Sequence, residues 1–360
     1  MKIVVGIDSF KGSASSIELG NSVKAGFLSA FPSAEVKVFE VADGGEGTLS
    51  ALKQALAYID ADLGVPSSKM ISVATVDLLR RPLVAQYLMF GDLALIETAA
   101  VIGIDKIRPD AESVQKASSI GLAALIKDAA ARGAKKIYLT LGGSGTSDGG
   151  FGLLRGLSVD RAHLTNIPRL PELIGLSDVT NPYAGPTGYA HFFGKQKGGT
   201  TEILNEQDKR AQQFAAQVKS QLGIDLQQIS GSGAAGGLGG AIAVLGGNIE
   251  PGFLTLAKWL KIETEIADAD LVITGEGRID AQTAMGKVPY GMAELSIKHH
   301  VPIIALCGSL AEDLGSMEEV MTALYSIQKG PISLEDAMKT EKTLKNLQFL
   351  SKNIAKTWFH

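Results

Sequence analysis

Cysteine and long apolar runs are scarce in this chain. Cys307 is the only cysteine among 360 residues, so no internal disulfide forms, which is typical of a reducing compartment. Its neighbours are apolar, so we expect it to be buried. No apolar run approaches the roughly 20 residues that span a bilayer, and the first residues read as a strand. These absences predict a cytoplasmic protein without a membrane partner.

The charge is balanced: 34 basic and 38 acidic residues give a net charge of −4, and both kinds are spread along the chain. No basic block alternates with aromatic residues, so a nucleic-acid partner is not expected. The five histidines show neither metal-ligand spacing nor the pattern of a catalytic triad.

Two common nucleotide-binding signatures are absent or weak. The chain has no GxxxxGK[ST] loop and no protein-kinase motifs. Gly231–Gly236 matches GxGxxG, but the preceding residues make a poor strand, and no acid-terminated strand follows about 20 residues later. A dehydrogenase is therefore not expected, and a phosphotransferase would need another scaffold.

Glycine is abundant, with 42 residues that cluster just after β-like runs. In α/β proteins the carboxyl ends of parallel strands are where ligands bind. The apolar run Ile3–Ile7 predicts a strand that is buried on both faces. Ser15 and Glu18 form the pattern of a capping box, and the helix that they begin should end near Phe31.

The order of the elements predicts the fold. The first residues alternate strand and helix, which is typical of a doubly wound sheet. Short β-like runs without a helix follow residue 67 and predict mixed or antiparallel pairing. We also expect helices near 113–131 and from Ser333. The prediction is an α/β fold of two domains. They are a doubly wound, Rossmann- or flavodoxin-like parallel-sheet domain from 1–66 and 268–360, and an inserted mixed α/β domain from 67–267.

Acidic residues lie within or beside the glycine clusters that follow the predicted strands. A single acid beside a glycine is usually a turn residue. Several carboxylates at one sheet edge repel each other unless a cation lies among them, and oxygen ligands favour Mg²⁺ over Zn²⁺. The acids concerned are Asp8, Asp43, Glu46, Asp148, Asp178, Glu276 and Asp280.

Two segments have the composition of phosphate-binding loops. Gly231–Gly239 precedes a predicted helix, Ala234–Leu245, whose first amides and positive dipole favour a phosphate; tight helix packing is the alternative. Gly142–Gly150 offers consecutive amides and Ser144. Replacing Gly233 with Val is expected to block the approach of a nucleotide.

Three basic residues lie in glycine-rich or acidic motifs, namely Lys11, Lys197 and Arg278. Such side chains are usually solvated surface charges. In a cleft they would bind a substrate carboxylate or a transferring phosphoryl group.

At these glycine-rich, acidic and basic segments the sequence resembles the type 1 glycerate kinase family. The resemblance implies ATP- and Mg²⁺-dependent phosphorylation of D-glycerate, usually at the 2-hydroxyl. It also implies two α/β domains, with the active site in the cleft between them. The stretch between Asp148 and Asp178 looks short for the family, with a junction near Leu157–Arg161. The matching segments run in order over nearly the whole chain: Asp8–Lys11, Val41–Thr48, Leu141–Ser144, Asp148–Gly150, Asp178–Pro182, Gly194–Gly198, Gly233–Gly239, Asp270–Asp280 and Gly286–Pro289.

We therefore predict ATP-dependent phosphorylation of glycerate, with a kinase for another small hydroxy acid and a non-catalytic organic-acid sensor as alternatives. A homodimer is possible. Asp178, or else Asp43, is expected to accept the hydroxyl proton, and Lys11 to assist catalysis. Substrate contacts are expected from Asp8, Ser9, Lys11, Glu46, Asn181, Lys197 and Arg278. Nucleotide contacts are expected from Gly142, Gly143, Ser144, Ser232, Gly233, Ala234 and Gly236, and Mg²⁺ contacts from Glu276 and Asp280.

Overall fold

The computed structural model describes residues 1–42, 48–49, 52, 68–164 and 166–359. Two predicted site residues, Asp43 and Glu46, lie outside the described residues. Within the described ranges, no helix combines the length and the apolar character needed to cross a membrane.

The described strands are β1 (Lys2–Ile7), β2 (Glu35–Glu40), β3 (Lys69–Val76), β4 (Pro82–Phe90), β5 (Leu93–Glu97), β6 (Lys136–Thr140), β7 (Glu172–Leu176), β8 (Asn248–Glu250), β9 (Leu271–Ile279), β10 (Ile303–Leu310) and β11 (Ala323–Ser326). The described α-helices are α1 (Ser16–Ala30), α2 (Ala99–Ile102), α3 (Ala111–Lys116), α4 (Leu122–Ala131), α5 (Phe151–Gly156), α6 (Tyr189–Phe193), α7 (Thr201–Leu222), α8 (Ala234–Val244), α9 (Gly252–Trp259), α10 (Ile262–Ile266), α11 (Val288–Lys298), α12 (Met317–Val320), α13 (Leu334–Ala337) and α14 (Thr340–Trp358). Short 3₁₀ turns are formed by Ile104–Lys106, Ser119–Gly121, Lys195–Lys197, Leu226–Gln228 and Thr283–Met285.

The chain forms two compact units. Unit 1 comprises Met1–Asp43 and Phe253–His360, and unit 2 comprises Gly44–Gly252. The boundary predicted at 267/268 assigned α9 and α10 to the inserted domain. Instead, Phe253, Ala257 and Ile262 are buried in unit 1, because the apolar faces of these helices pack with the sheet residue Val272. The boundary predicted at 66/67 falls at residues outside the described ranges.

Unit 1 is built on a parallel sheet in the order β11-β10-β9-β1-β2. Successive β1 side chains enter different cores, because strand side chains alternate between the two faces of a sheet. Val5 packs with Leu19 of α1 and Leu347 of α14, whereas Val4 packs with Met292 of α11. Helices therefore cover both faces, and the doubly wound prediction is confirmed.

Local signals in unit 1 act largely as predicted. The side chain of Ser15 accepts the amide of Glu18, and the Glu18 carboxylate accepts the amide of Ser15 at 2.9 Å, which confirms the capping box. Helix α1 ends at Ala30, with Phe31 as its C-cap. The final helix starts later than predicted, because a separate short helix, α13, occupies 334–337.

Unit 2 is built on a mixed sheet in the order β3-β4-β5-β6-β7-β8. Strands β3 to β5 pair antiparallel, and β5 to β8 pair parallel, which confirms the predicted mixed sheet. The helix predicted near 113–131 is interrupted: Ser118 has an extended backbone, and its hydroxyl accepts the amide of Ile120. A side chain that caps a new turn thus competes with a continuous helix.

Candidate active site

A pocket of about 610 Å³ opens in unit 1 where β1, β9 and β10 end. The pocket brings together residues from both ends of the chain, because β1 and β9 are neighbouring parallel strands, with Ile7 opposite Gly275. Six of the predicted site residues line it, namely Asp8, Ser9, Lys11, Glu276, Arg278 and Asp280.

The loop after β1 supplies the first half of the pocket. The amide of Asp8 donates to the carbonyl of Gly275 at 2.9 Å, and its carboxylate accepts the amide of Ser9 at 2.7 Å. Gly12 turns the chain with a φ of 74°, in the left-handed region that favours glycine. The preceding residue, Lys11, is exposed at the pocket. The loop thus brings the buried carboxylate of Asp8 and the exposed ammonium of Lys11 to the same pocket.

Glu276 is the most deeply placed carboxylate of the second half, with a side chain that is 9% exposed. It accepts a hydrogen bond from Thr283 Oγ1 at 2.5 Å and pairs with Lys287 Nζ at 3.0 Å. Burial raises the pKa of Glu276, and the positive charge of Lys287 opposes that rise. Glu276 is therefore a buried carboxylate whose ionised form is stabilised by the positive charge of Lys287.

Lys287 and Ser309 also line this pocket, and the sequence analysis assigned neither to the site. Lys287 belongs to the Gly286–Pro289 motif, which carried the family resemblance but no predicted role. Ser309 lies two residues after Cys307, near the end of β10. Cys307 itself is fully buried, as predicted, and burial raises the pKa of its thiol to about 12.

The magnesium prediction fits this pocket only in part. Among the described residues, no three His, Cys, Asp or Glu side chains lie together as a metal-binding group. Mg²⁺ commonly uses one or two carboxylates and otherwise water and substrate phosphates, so a smaller set suffices. Glu276 already neutralises Lys287, whereas Asp280 is 31% exposed and its Oδ2 lies 3.9 Å from Arg278 Nε. The assignments of Glu276 and Asp280 as Mg²⁺ ligands therefore stay predictions.

Other predicted segments meet inside unit 2. The amide of Gly233 donates to the carbonyl of Asn181 at 3.0 Å. The amide of Gly149 donates to the carbonyl of Gly236 at 2.9 Å. The segments 142–150, 178–182 and 231–239 are therefore neighbours, although the sequence alone gave no order for them.

The structure does not support the phosphate-binding prediction for the amides of Ser232, Gly233 and Ala234, and the role predicted for Gly236 stays a prediction. The amides of Ser232, Gly233 and Ala234 donate to the carbonyls of Ile229, Asn181 and Gly231. All residues of α8 are buried, and the chain is left-handed at Ala235, Gly236 and Gly237, so a regular helix does not begin at Ala234. These amides hold the segment in place and are not offered to a phosphate.

The glycines of this segment permit close packing of backbone on backbone. A Cβ atom on Gly236 would lie 2.0 Å from the carbonyl oxygen of Thr146. A Cβ atom on Gly233 would lie 2.3 Å from the carbonyl oxygen of Pro182. Gly233→Val would therefore damage unit 2 itself, and it does not test nucleotide binding as expected from the sequence.

Lys197 is also placed differently from the prediction. Its side chain is buried in unit 2, and its Nζ donates to the carbonyl of Thr146 at 2.6 Å. Burial lowers the pKa of Lys197 to about 8. Lys197 therefore supports the 142–150 loop from the inside, and a contact between it and a substrate is not supported.

The remaining predicted residues of unit 2, apart from the buried Ser144, are more accessible. Asp178 is half-buried and follows β7, and Asn181 Nδ2 donates to the carbonyl of Thr187 at 2.9 Å. Gly143 is exposed with a φ of 72°, Gly142 is half-buried, and the hydroxyl of Ser144 bonds to that of Thr146 at 3.0 Å. Their roles, and the cleft between the domains, stay predictions.

Comparison with known proteins identifies the family. The sequence profile of the Glycerate kinase family matches residues 3–169 and 159–359. The chain belongs to the glycerate kinase family. It is 35% identical to Glycerate kinase of Bacillus cereus (strain ATCC 10987 / NRS 248), covering 99% of this chain and 98% of that one. It is 34% identical to Glycerate 2-kinase of Escherichia coli (strain K12), covering 99% and 98%.

A solved structure agrees with this assignment. The crystal structure of a candidate glycerate kinase 2 from Salmonella typhimurium LT2 superposes with a TM-score of 0.78 at 32% identity. The superposition covers 99% of this chain and 98% of the Salmonella typhimurium chain. A family member with this two-sheet α/β fold is a kinase, so the predicted enzyme class and fold class are confirmed.

The comparisons also bear on the short stretch after Asp148. The alignment with the Bacillus cereus protein is 385 residues long, although this chain has only 360, so at least 25 aligned positions are gaps in this chain. The two segments matched by the family profile meet at 159–169. The alignment length supports a shortening of this chain, and the overlap of the two profile matches is consistent with a place near the predicted junction at Leu157–Arg161.

Proposed function

We propose that this kinase transfers the terminal phosphoryl group of ATP to D-glycerate and produces 2-phosphoglycerate. The observation that carries the proposal is the unit 1 pocket, in which Lys11, Arg278 and Lys287 lie with Asp8, Glu276 and Asp280. Phosphoryl transfer requires positioning and compensation of negative charge, and this set of side chains offers both. The family membership supports the same chemistry. A reaction that consumes ATP also suits the cytoplasm predicted from the sequence.

The proposed reaction balances with the residues at hand. A bond forms between the terminal phosphorus and the glycerate 2-hydroxyl oxygen, while the bond from that phosphorus to the bridging oxygen of ADP breaks. The hydroxyl proton passes to a carboxylate, which we assign to Asp178. Mg²⁺, when bound, would neutralise phosphate charge, and we assign Asp280 as its ligand, since the other predicted ligand, Glu276, pairs with Lys287.

The activity is tested by following ADP release with glycerate, lactate, glycolate and tartronate as acceptors. We expect release with D-glycerate only, and a product whose phosphorus couples to a single proton, as in the 2-phosphate. Coupling to two protons would assign the 3-hydroxyl instead. Tight glycerate binding without ADP release would favour the organic-acid sensor, and release with another acid would identify a different hydroxy-acid kinase.

Lys11 is proposed to bind the carboxylate of glycerate. Lys11→Met removes an exposed ammonium at the pocket, so the KM for glycerate should rise about tenfold with a smaller change for ATP, since a charge-assisted contact contributes about 1.5–3 kcal/mol. Steady-state kinetics with each substrate varied in turn measure this. Lys24→Met, at a half-buried position of α1 that does not line the pocket, is the control and should leave both constants unchanged. Unchanged glycerate kinetics in Lys11→Met would remove Lys11 from the site.

A further inference from the structure

A second pocket, of about 440 Å³, lies in unit 2 and shares no lining residue with the unit 1 pocket. Neither Asp178 nor Asn181 lines it. Its volume is within the ~300–1,000 Å³ of pockets that hold small molecules. Three acidic residues line it, namely Asp148, Asp160 and Glu206, against five basic ones, namely Arg80, Lys116, Arg155, Arg161 and Arg210.

Two of the three acids are engaged by backbone amides. The Asp148 carboxylate accepts the amides of Ser119 at 2.8 Å and Gly152 at 3.0 Å. The Asp160 carboxylate accepts the amide of Ala162 at 2.9 Å. These contacts fix the chain around the pocket, and they leave the basic side chains in excess.

Two of the five basic residues have partners within their own helices. Lys116 pairs with Glu112, one turn earlier on α3. Arg210 pairs with Glu206, one turn earlier on α7. The other three have no ion pair within the part of the chain that the structure describes, and they are Arg80, Arg155 and Arg161.

The surroundings hold two of these arginines at the pocket. The guanidinium carbon of Arg161 lies 3.9 Å from the centre of the Phe151 ring, which also lines the pocket. Arg80 has a φ of 63°, in the left-handed region that arginine rarely adopts, and its amide donates to the carbonyl of Asp77 at 2.9 Å. Such backbone conformations are held in place by their surroundings and are frequent at ligand-binding positions.

Tyr189 adds an unused hydroxyl to the same pocket. The residue is 2% exposed, and its ring packs edge-on against Tyr183, with the ring centres 5.2 Å apart. The hydroxyl of Tyr183 donates to the carbonyl of Gly149 at 2.7 Å, whereas that of Tyr189 has no hydrogen bond to any described residue. Burial raises the pKa of Tyr189, so its hydroxyl remains a proton donor at neutral pH. A buried donor of this kind is expected to have a partner, and a bound ligand would supply it.

We propose that the unit 2 pocket binds the phosphate ester of a small polar compound, with the unpaired arginines at the phosphate and Tyr189 as a donor to a ligand oxygen. A phosphate monoester carries a charge of about −1.5 to −2 at pH 7, which suits a wall with five basic and three acidic side chains. The planar guanidinium of arginine binds phosphate through two parallel hydrogen bonds. Polar residues favour a ligand whose remaining part is polar as well, and they are Gln115, Ser118, Ser147 and Gln207.

The inference goes beyond the proposed function and does not depend on it. Val159, Asp160 and Arg161 line the pocket and lie at the predicted junction of the shortened stretch. The proposed site therefore concerns this chain and not the family as a whole.

Calorimetric titration with glucose 6-phosphate tests the site. In Arg155→Gln/Arg161→Gln the Kd for glucose 6-phosphate should rise about tenfold or more, since two charged donors to the phosphate are lost. In Tyr189→Phe the Kd should rise about threefold or more, whereas the Tm of the free protein should not fall, because the hydroxyl has no partner there to lose. The matched control is Arg169→Gln, since Arg169 is an exposed arginine of unit 2 that does not line the pocket. It should leave the Kd unchanged.

The outcomes also decide where the probe binds and which group is recognised. Lys11→Met should leave the Kd for glucose 6-phosphate unchanged, and a large rise there would place the probe in the unit 1 pocket and overturn the inference. An unchanged Kd in Arg155→Gln/Arg161→Gln, or a wild-type protein that does not bind the probe, would overturn it as well. Equal or tighter wild-type binding of inorganic phosphate, or of gluconate with its carboxylate, would refute a phosphate ester as the ligand. Glucose 6-phosphate is neither substrate nor product of the proposed reaction, so none of these results depends on phosphorylation of glycerate.

Discussion

Lys287→Met should lower the free energy of unfolding of unit 1 by about 3 kcal/mol. Removing one partner of a buried ion pair typically costs about 3–5 kcal/mol, and the lower end applies because Lys287 is 33% exposed. The variant leaves Glu276 buried without its cation. The two tryptophans of the chain, Trp259 and Trp358, both belong to unit 1, so their fluorescence in urea reports its unfolding.

The pH dependence of this loss has a definite sign. The pKa of Glu276 is already raised by burial, so the folded state holds a proton more tightly than the unfolded state does. Stability contributed by the protonated carboxyl is present below the ordinary pKa, about 4.3, and is lost as the pH rises through the folded pKa. Lys287→Met raises that pKa further. The destabilisation should therefore be small near pH 4 and full near pH 7.

Two further variants identify the cause. In Glu276→Gln/Lys287→Met the pH dependence should disappear, because no buried carboxyl remains to be ionised. Lys298→Met breaks the exposed pair with Glu263 and should cost less than about 1 kcal/mol at every pH. Equal losses in Lys287→Met and Lys298→Met, or a loss in Lys287→Met that does not depend on pH, would contradict the proposed role of the Glu276–Lys287 pair.

Asp178→Asn should reduce turnover about 100-fold or more. The substitution keeps the size of the side chain, but an amide cannot accept the hydroxyl proton, and losing a general base typically costs about 10²–10⁴ in rate. Asp178 is half-buried and lies two residues after the end of β7. The Kd for ADP should change less than about twofold, so kcat measured beside ADP binding separates a chemical role from a binding role.

The control for this prediction is Asp105→Asn, since Asp105 is an exposed carboxylate of the same unit and should leave turnover unchanged. Near-native turnover in Asp178→Asn, with turnover abolished by Asp43→Asn, would assign the base to Asp43. A large loss of ADP affinity in Asp178→Asn would instead make Asp178 a binding residue.

The features that the sequence predicted correctly depend on local or strongly periodic signals. Ser15 and Glu18 lie three residues apart, so their capping box needs no tertiary contact to be recognised. Burial of β1 on both faces follows from five consecutive residues without a charge. The meeting of Asp8 with Glu276 required one further step, namely that parallel strands of a sheet end at the same edge.

The features that it missed depend on contacts between distant segments. Lys287 pairs with Glu276 across a turn that the spacing does not reveal, so the sequence predicted no role for it. Gly236 has a left-handed backbone, and the carbonyl of Thr146 leaves no room for a Cβ atom there. Nothing in the 231–239 segment distinguishes these two requirements from those of a phosphate loop. Ala235 is left-handed as well, although alanine carries no signal for it. Composition thus located the glycine-rich segments but not their purpose.

The position of β1 in its sheet has a consequence for synthesis of the chain. One neighbour of β1 is β2, but the other is β9, which begins at Leu271. At about 5–20 residues per second, the ribosome needs roughly 10 to 45 s to pass from residue 43 to β9. During that interval one edge of Ile3–Ile7 has no partner strand, while all residues of unit 2 are made and free to fold. Until β9 is made, the apolar edge of β1 is where a chaperone would protect the nascent chain from aggregation.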